Sequence, residues 1–206
     1  MRYACSYTGR DDRIAQLIQQ RIVDVLDAKG LRCPQLQPTA HGGVEDGPTT
    51  DAAPDIASSL SPANEHAAAP TILLCDHGTP TPSVNAVREV VLGQLKALVG
   101  SQGAGAAHVV SCSMERRDGA EYDFNDPLLE SALMDASDAG PIVVALMFLQ
   151  PGKHAGAGGD IAEIIATVRA RRPALEIHTT AVLGSDPLLI DVLLDRLKQA
   201  VAITLA

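Results

Sequence analysis

PIVVALMFLQPGKHAGAGGD, residues 141–160, reads as a buried strand running into a glycine-rich loop that holds one histidine, His154. Ile142 to Leu149 is an unbroken apolar run, the pattern of a central parallel strand covered on both faces. The loop behind it is too small and polar to pack, and helical periodicity resumes only at Ile161. A second stretch has the same shape: Thr71 to Cys75 reads as a strand, and Asp76-His77-Gly78-Thr79-Pro80 then turns the chain. Both histidines therefore fall just past the carboxyl end of a buried strand, the edge at which open α/β sheets bind ligands. Handling of a metal ion by the pair is the expectation that follows.

Outward from these two stretches the pattern is regular. Strand 71–75 leads to a helix over 83–99, with Val84, Val87, Val91, Leu95 and Leu98 on one face. Strand 107–112 leads to a helix over 127–137, and strand 142–149 to a helix over 160–171. Strand 176–182 leads to a helix over 187–203, where Leu188, Leu189, Val192, Leu193 and Leu197 are expected to be buried. Thr81-Pro82, Asp126-Pro127 and Asp186-Pro187 predict three helix starts, each a capping oxygen followed by a proline at the first helical position. Four consecutive strand–helix units predict an α/β fold: a parallel four-stranded sheet with right-handed crossovers and helices on both faces.

The amino-terminal part differs. Residues 2–9 predict a short strand, and from Asp11 a helix carries Ile14, Leu17, Ile18, Ile22, Val25 and Leu26 at helical spacing, with Gly30 to end it. Residues 31–70 hold six prolines among Ala, Gly, Ser, Thr and Asp and have no periodicity, which predicts a largely disordered linker. His41 and His66 lie in it and receive no role. The expected organisation is thus a partial strand–helix repeat at 1–30, a linker at 31–70 and the α/β domain at 71–206. An internal echo supports the first term. Gly9, Asp11 and Arg21 line up with Gly184, Asp186 and Arg196, and Ile14, Leu17, Ile18 and Ile22 fall on Leu189, Val192, Leu193 and Leu197.

Composition narrows the function classes. The chain of 206 residues is 46% hydrophobic but only 2% aromatic, so its core is built from Ala, Val, Ile and Leu. A formal charge of −9 argues against a nucleic-acid or anionic-membrane binder, and three Tyr and two Phe leave little for base stacking. Four cysteines at 5, 33, 75 and 112 show no CxxC spacing, so no disulfide framework or zinc ribbon is expected. There is neither a signal pattern nor an apolar run of membrane-spanning length, and a cytoplasmic protein is the expectation.

Around the two histidines stand several further candidates. Met114 and Glu115 follow the second strand on the same edge, where Glu115 could ligate a metal or shuttle protons. Asp76 could orient the His77 ring, and Asp160 is expected to cap the next helix. Lys153, Arg116 and Arg117 put positive charge near the mouth of an acidic protein, which suits a polyanionic substrate. His108 and His178 belong to the opposite edge and read as structural. Gly152-Lys153-His154 lacks the rest of a P-loop, Gly156-Ala157-Gly158 does not continue to GxGxxG, and no GxSxG elbow exists. A histidine phosphatase is a poor fit, because Asp76 stands where that chemistry expects an arginine.

Taken together these residues resemble a known family, the small sirohydrochlorin chelatases of the CbiX/SirB type. The resemblance covers residues 71–200. It rests on Leu73-Leu74-Cys75-Asp76-His77-Gly78-Thr79, on Met114-Glu115 with Asp126-Pro127-Leu128-Leu129-Glu130, on Phe148-Leu149-Gln150-Pro151-Gly152-Lys153-His154, and on Leu183-Gly184-Ser185-Asp186-Pro187-Leu188-Leu189. It implies a chelatase-like half and insertion of divalent cobalt or iron, as substrate rather than resident cofactor, into sirohydrochlorin for cobalamin or sirohaem. His77 and His154 match the histidines that bind the incoming metal and take the pyrrole protons, with Glu115 beside them. Gly78, Thr79, Lys153 and Arg116 would meet the macrocycle and its eight carboxylates. Thr79 replaces the family's serine and Pro80 its arginine, the His154 loop is longer, and residues 116–125 add a loop. Some relatives are two fused repeats and others single repeats that dimerise, so a homodimer is one expected state. A non-catalytic metal- or tetrapyrrole-binding module is the alternative reading.

Overall fold

Four strands, β1 (Thr71–Asp76), β2 (His108–Ser113), β3 (Ile142–Leu146) and β4 (Ile177–Thr179), form one all-parallel sheet in the order β2-β1-β3-β4. The structure is a computed structural model and describes residues 11–31, 33, 36, 69–100 and 106–204. The expected strand at 2–9, most of the linker at 31–70, and His41 and His66 lie outside the described residues.

Side-chain alternation along β1 separates two cores, as the period of two requires. Ile72 and Leu74 pack with Val143 and Ala145 under α1 (Arg13–Ala28), α2 (Pro82–Leu98) and the start of α6 (Pro187–Thr204). Leu73 and Cys75 pack on the other face with α3 (Leu129–Asp135) and α5 (Asp160–Arg171). The fold is therefore α/β with helices on both faces, as the strand–helix rhythm predicts. The chain moves from β1 outward to β2, then returns past β1 to β3, so the direction of winding reverses between β1 and β3. That reversal leaves a crevice at the carboxyl edge of those two strands.

Several boundaries differ from the sequence expectation. β3 stops at Leu146: Met147 N still donates to Cys75 O at 2.8 Å, but Phe148 O accepts from Leu183 N instead of a strand. β4 is three residues long because the Thr180 hydroxyl, not a backbone carbonyl, accepts the Leu146 N–H at 2.9 Å. Pro127 does not open α3, which starts at Leu129. Pro127 O accepts from Ser113 N at 3.1 Å, and Leu128 bridges Ser113, so this dipeptide first runs alongside β2. Pro82 and Pro187 do open their helices, but only Asp186 caps with its side chain, accepting from Leu188 N at 3.0 Å.

α1 belongs to the same core as the sheet. Ala15, Ile18, Ile22 and Leu26 are fully buried there, and Gln19 Nε2 donates to the carbonyl of buried Leu36 at 3.0 Å. Because α1 takes the place against β3, α6 lies beside α1. Among the described side chains of α6 only Leu189 and Val192 are buried, whereas Leu193 and Leu197, expected inside, are 56% and 60% exposed. Ion pairs tie the two helices: Arg21–Asp186 at 3.1 Å, Arg196–Asp11 at 2.8 Å and Arg13–Asp195 at 2.9 Å. Hydrogen bonds from Arg13 hold the Asp11 and Asp195 carboxyls below their usual range.

Candidate functional site

The β1–β2 register carries the first half of the site. Asp76 pairs with Ser113, and beyond the strands Met114 N donates to Asp76 O at 2.8 Å and Glu115 N to His77 O at 3.2 Å. Continued pairing sets Glu115 beside His77, with His77 Nε2 3.6 Å from Glu115 Oε1, too long for a hydrogen bond. Gly78 makes this approach possible. It has φ +93°, and a Cβ there would collide with the Glu115 carbonyl oxygen.

The turn holding His77 rests on a buried polar cluster. Arg88, 2% exposed on α2, donates to Ser113 Oγ at 2.5 Å, to the carbonyls of Asn125 and Phe124 at 3.3 Å each, and to Asp76 Oδ1 at 3.4 Å. Asp76 Oδ1 also accepts from Ser113 Oγ at 2.7 Å and from Gly78 N at 3.1 Å. Asn125 grips Thr79 from both sides, accepting its N–H and donating to its carbonyl at 3.0 Å each. Asp76 thus holds the turn and does not bond the neighbouring imidazole. Instead, His77 Nδ1 lies 3.2 Å from Gly78 O; a carbonyl only accepts, so this nitrogen donates, and in the neutral ring the lone pair is on Nε2.

The second half comes from β3. After Pro151 the chain makes one helical turn, α4 (Gly152–Ala155), so His154 sits on a short helix rather than an open loop. Glycines then return the chain to α5, and a Cβ at Gly159 would strike the carbonyls of Lys153 and His154. This close return brings Asp160 Oδ2 within 2.5 Å of His154 Nδ1. Asp160 opens α5 without capping it; its carboxylate orients His154 and again leaves Nε2 free.

The two imidazoles meet. Their ring centroids are 4.7 Å apart and their planes cross at 83°. The His77 side chain is 47% exposed and that of His154 33%, so both open to solvent. Among the described residues no three ligating side chains close on one point, so the donor set is two nitrogens with Glu115 nearby. Of the candidate cations, Lys153 is exposed and makes no ion pair among the described residues. Arg116 is held by Asp123 at 2.9 Å and Asp126 at 3.1 Å, and Arg117 lies over the Tyr122 ring at 6.0 Å. His108 and His178 stand away from the site, His178 beside Glu176 at 3.0 Å. Cys75 and Cys112 face each other across β1 and β2, both buried. The Cys112 partner, and then burial, push the Cys75 thiol up, away from nucleophilic use.

Fold and geometry are those of a doubly wound α/β half with an open, two-imidazole site where its winding reverses. Compared with known families, the chain matches CbiX over residues 71–200, a span that takes in every described strand and both site histidines, His77 and His154. It belongs to the CbiX family. No curated protein and no solved structure matches it. Membership assigns the chemistry of the sirohydrochlorin chelatases, insertion of a divalent metal into a tetrapyrrole of the sirohydrochlorin type. No helix of the described residues is long and apolar enough to cross a membrane.

Proposed function

We propose that this protein inserts divalent cobalt or ferrous iron into sirohydrochlorin in the cytoplasm, on the way to cobalamin or sirohaem. His77 and His154 bind the incoming metal through Nε2 and take the two pyrrole protons, and Glu115 passes those protons to solvent. The observation that carries this reading is the convergence of the rings at 4.7 Å with both Nδ1 atoms occupied by oxygen acceptors. Two neutral imidazoles with free Nε2 lone pairs can hold a cation weakly and accept protons, the two demands of insertion. A donor set of two nitrogens also suits a metal that must leave, where a closed tetrahedral cage would retain it. Lys153 is the cation best placed to meet a substrate carboxylate, and Gly78 and Thr79 lie under the macrocycle. Arg116 would first have to release Asp123 or Asp126.

The test is a titration of sirohydrochlorin with Co²⁺ and with Fe²⁺, read from the absorption spectrum of the macrocycle. His77→Ala and His154→Ala are each expected to slow insertion by about 100-fold or more while the fold is kept. Tetrapyrrole binding by the wild type without spectral change on adding either metal would replace this reading with a binding module.

A further inference from the structure

Gly184, in the connection between β4 and α6, is a glycine because of what stands next to it. Its φ is not positive, so its backbone is open to other residues. A Cβ there, however, would collide with the Leu149 carbonyl oxygen and stand 3.0 Å from the Gln150 amide nitrogen. Gly93 on α2 also lacks a positive φ, but has nothing within 4 Å of such a Cβ, so nothing requires glycine there. The close approach at Gly184 joins two connections that are far apart in the chain, the one after β3 and the one after β4.

That junction is held on both sides. Leu183 is buried in the core that α1 shares, and its N–H donates to Phe148 O at 2.8 Å. Asp186 accepts from Leu188 N at 3.0 Å and pairs with Arg21 of α1 at 3.1 Å. On the other side the chain has little slack between Leu149 and His154. The Pro151 ring restricts φ, here −61°, and the Pro151 carbonyl accepts from Ala155 N at 2.8 Å, closing the turn that bears His154. A shift of the Leu149 carbonyl is passed through Gln150 and Pro151 to that turn.

We infer that Gly184 is a positioning residue for His154. By admitting the β4–α6 connection against Leu149, it fixes where the chain leaves β3, and so how near His154 stands to His77. Asp160 aims the ring; Gly184 sets where the turn beneath it begins. Through Arg21, α1 steadies this support, although it lies outside residues 71–200, the span matched to the family. The effect on catalysis rests on the proposed insertion reaction, whereas the effect on the position of the ring does not.

The test compares full-length Gly184→Ala with Gly93→Ala by three measurements: Tm, metal insertion into sirohydrochlorin, and the imidazole NMR signals, assigned with single His→Gln variants. Gly184→Ala is expected to move the His154 signals and leave those of His108, at the far end of β2, in place. Its kcat for insertion should fall about 10-fold or more, with KM within about twofold of wild type. Gly93→Ala should leave the signals and kcat unchanged. A lowered Tm with unmoved His154 signals would show that the contact only packs the fold, and would overturn the inference. Equal movement at His108 would show a general disturbance, and would overturn it as well. A wild type that inserts neither metal would sink the proposed function, yet the NMR comparison would still decide this inference. If Gly184→Ala does not fold, Arg21→Gln loosens the same connection without adding atoms to it. That variant should move the His154 signals and lower kcat by about threefold, since a partly exposed ion pair contributes little. His154 signals that stay in place there would overturn the inference.

Discussion

His77 and His154 reach one point on two different kinds of support. The His77 turn stands on buried polar groups: Arg88, Asp76, Ser113 and Asn125 bond one another and the backbone of Gly78 and Thr79. The His154 turn has no buried residue in α4, and its imidazole is aimed by a single carboxylate, Asp160. One ring is placed by the fold and the other by a local contact. The first can be disturbed only at a cost in stability, whereas the second can be disturbed with the fold intact.

The largest expected effect breaks the first support. Arg88→Ala leaves Asp76 and Ser113 without their cation and should lower the unfolding free energy by about 3 kcal/mol, read by denaturant titration, with insertion lost in parallel. Next, Asp160→Asn keeps the shape of the second support and removes its charge. Insertion should fall by about 10- to 100-fold while the Tm stays within a degree or two. A stability loss for Asp160→Asn as large as that for Arg88→Ala would erase the contrast between the turns. The smallest effect concerns Lys153, which shares α4 with His154. Lys153→Gln should raise the KM for sirohydrochlorin about threefold at low salt with kcat unchanged, because an exposed cation contributes little and is screened.

Much of this was legible in the residues, for a physical reason. Strands buried on both faces are written as unbroken apolar runs, so 71–75 and 142–149 announce the sheet and set their histidines at its edge. The carboxylate roles were legible only as a pair, and they are exchanged. Asp76, next to His77, points the other way because successive residues of an extended chain face opposite sides. Asp160, six positions from His154, comes back to it because a helical turn and glycines reverse the chain. Arg88 was hidden in the stripe of α2, three positions before Val91. Its partners Asp76, Ser113 and Asn125 are 12, 25 and 37 positions away, beyond any local pattern. The apolar stripe of α6 was visible, but periodicity does not say which neighbour covers a face, and α1 had taken the sheet.

Neither imidazole is roofed by the described residues, and that openness bears on where dryness comes from in the proposed reaction. Under the proposed function, the flat macrocycle laid across the rings would itself be the cover that sheds hydration from the ion between them. Turnover would then uncover the pocket each time the finished pigment departs, with no hinge or flap required of the polypeptide.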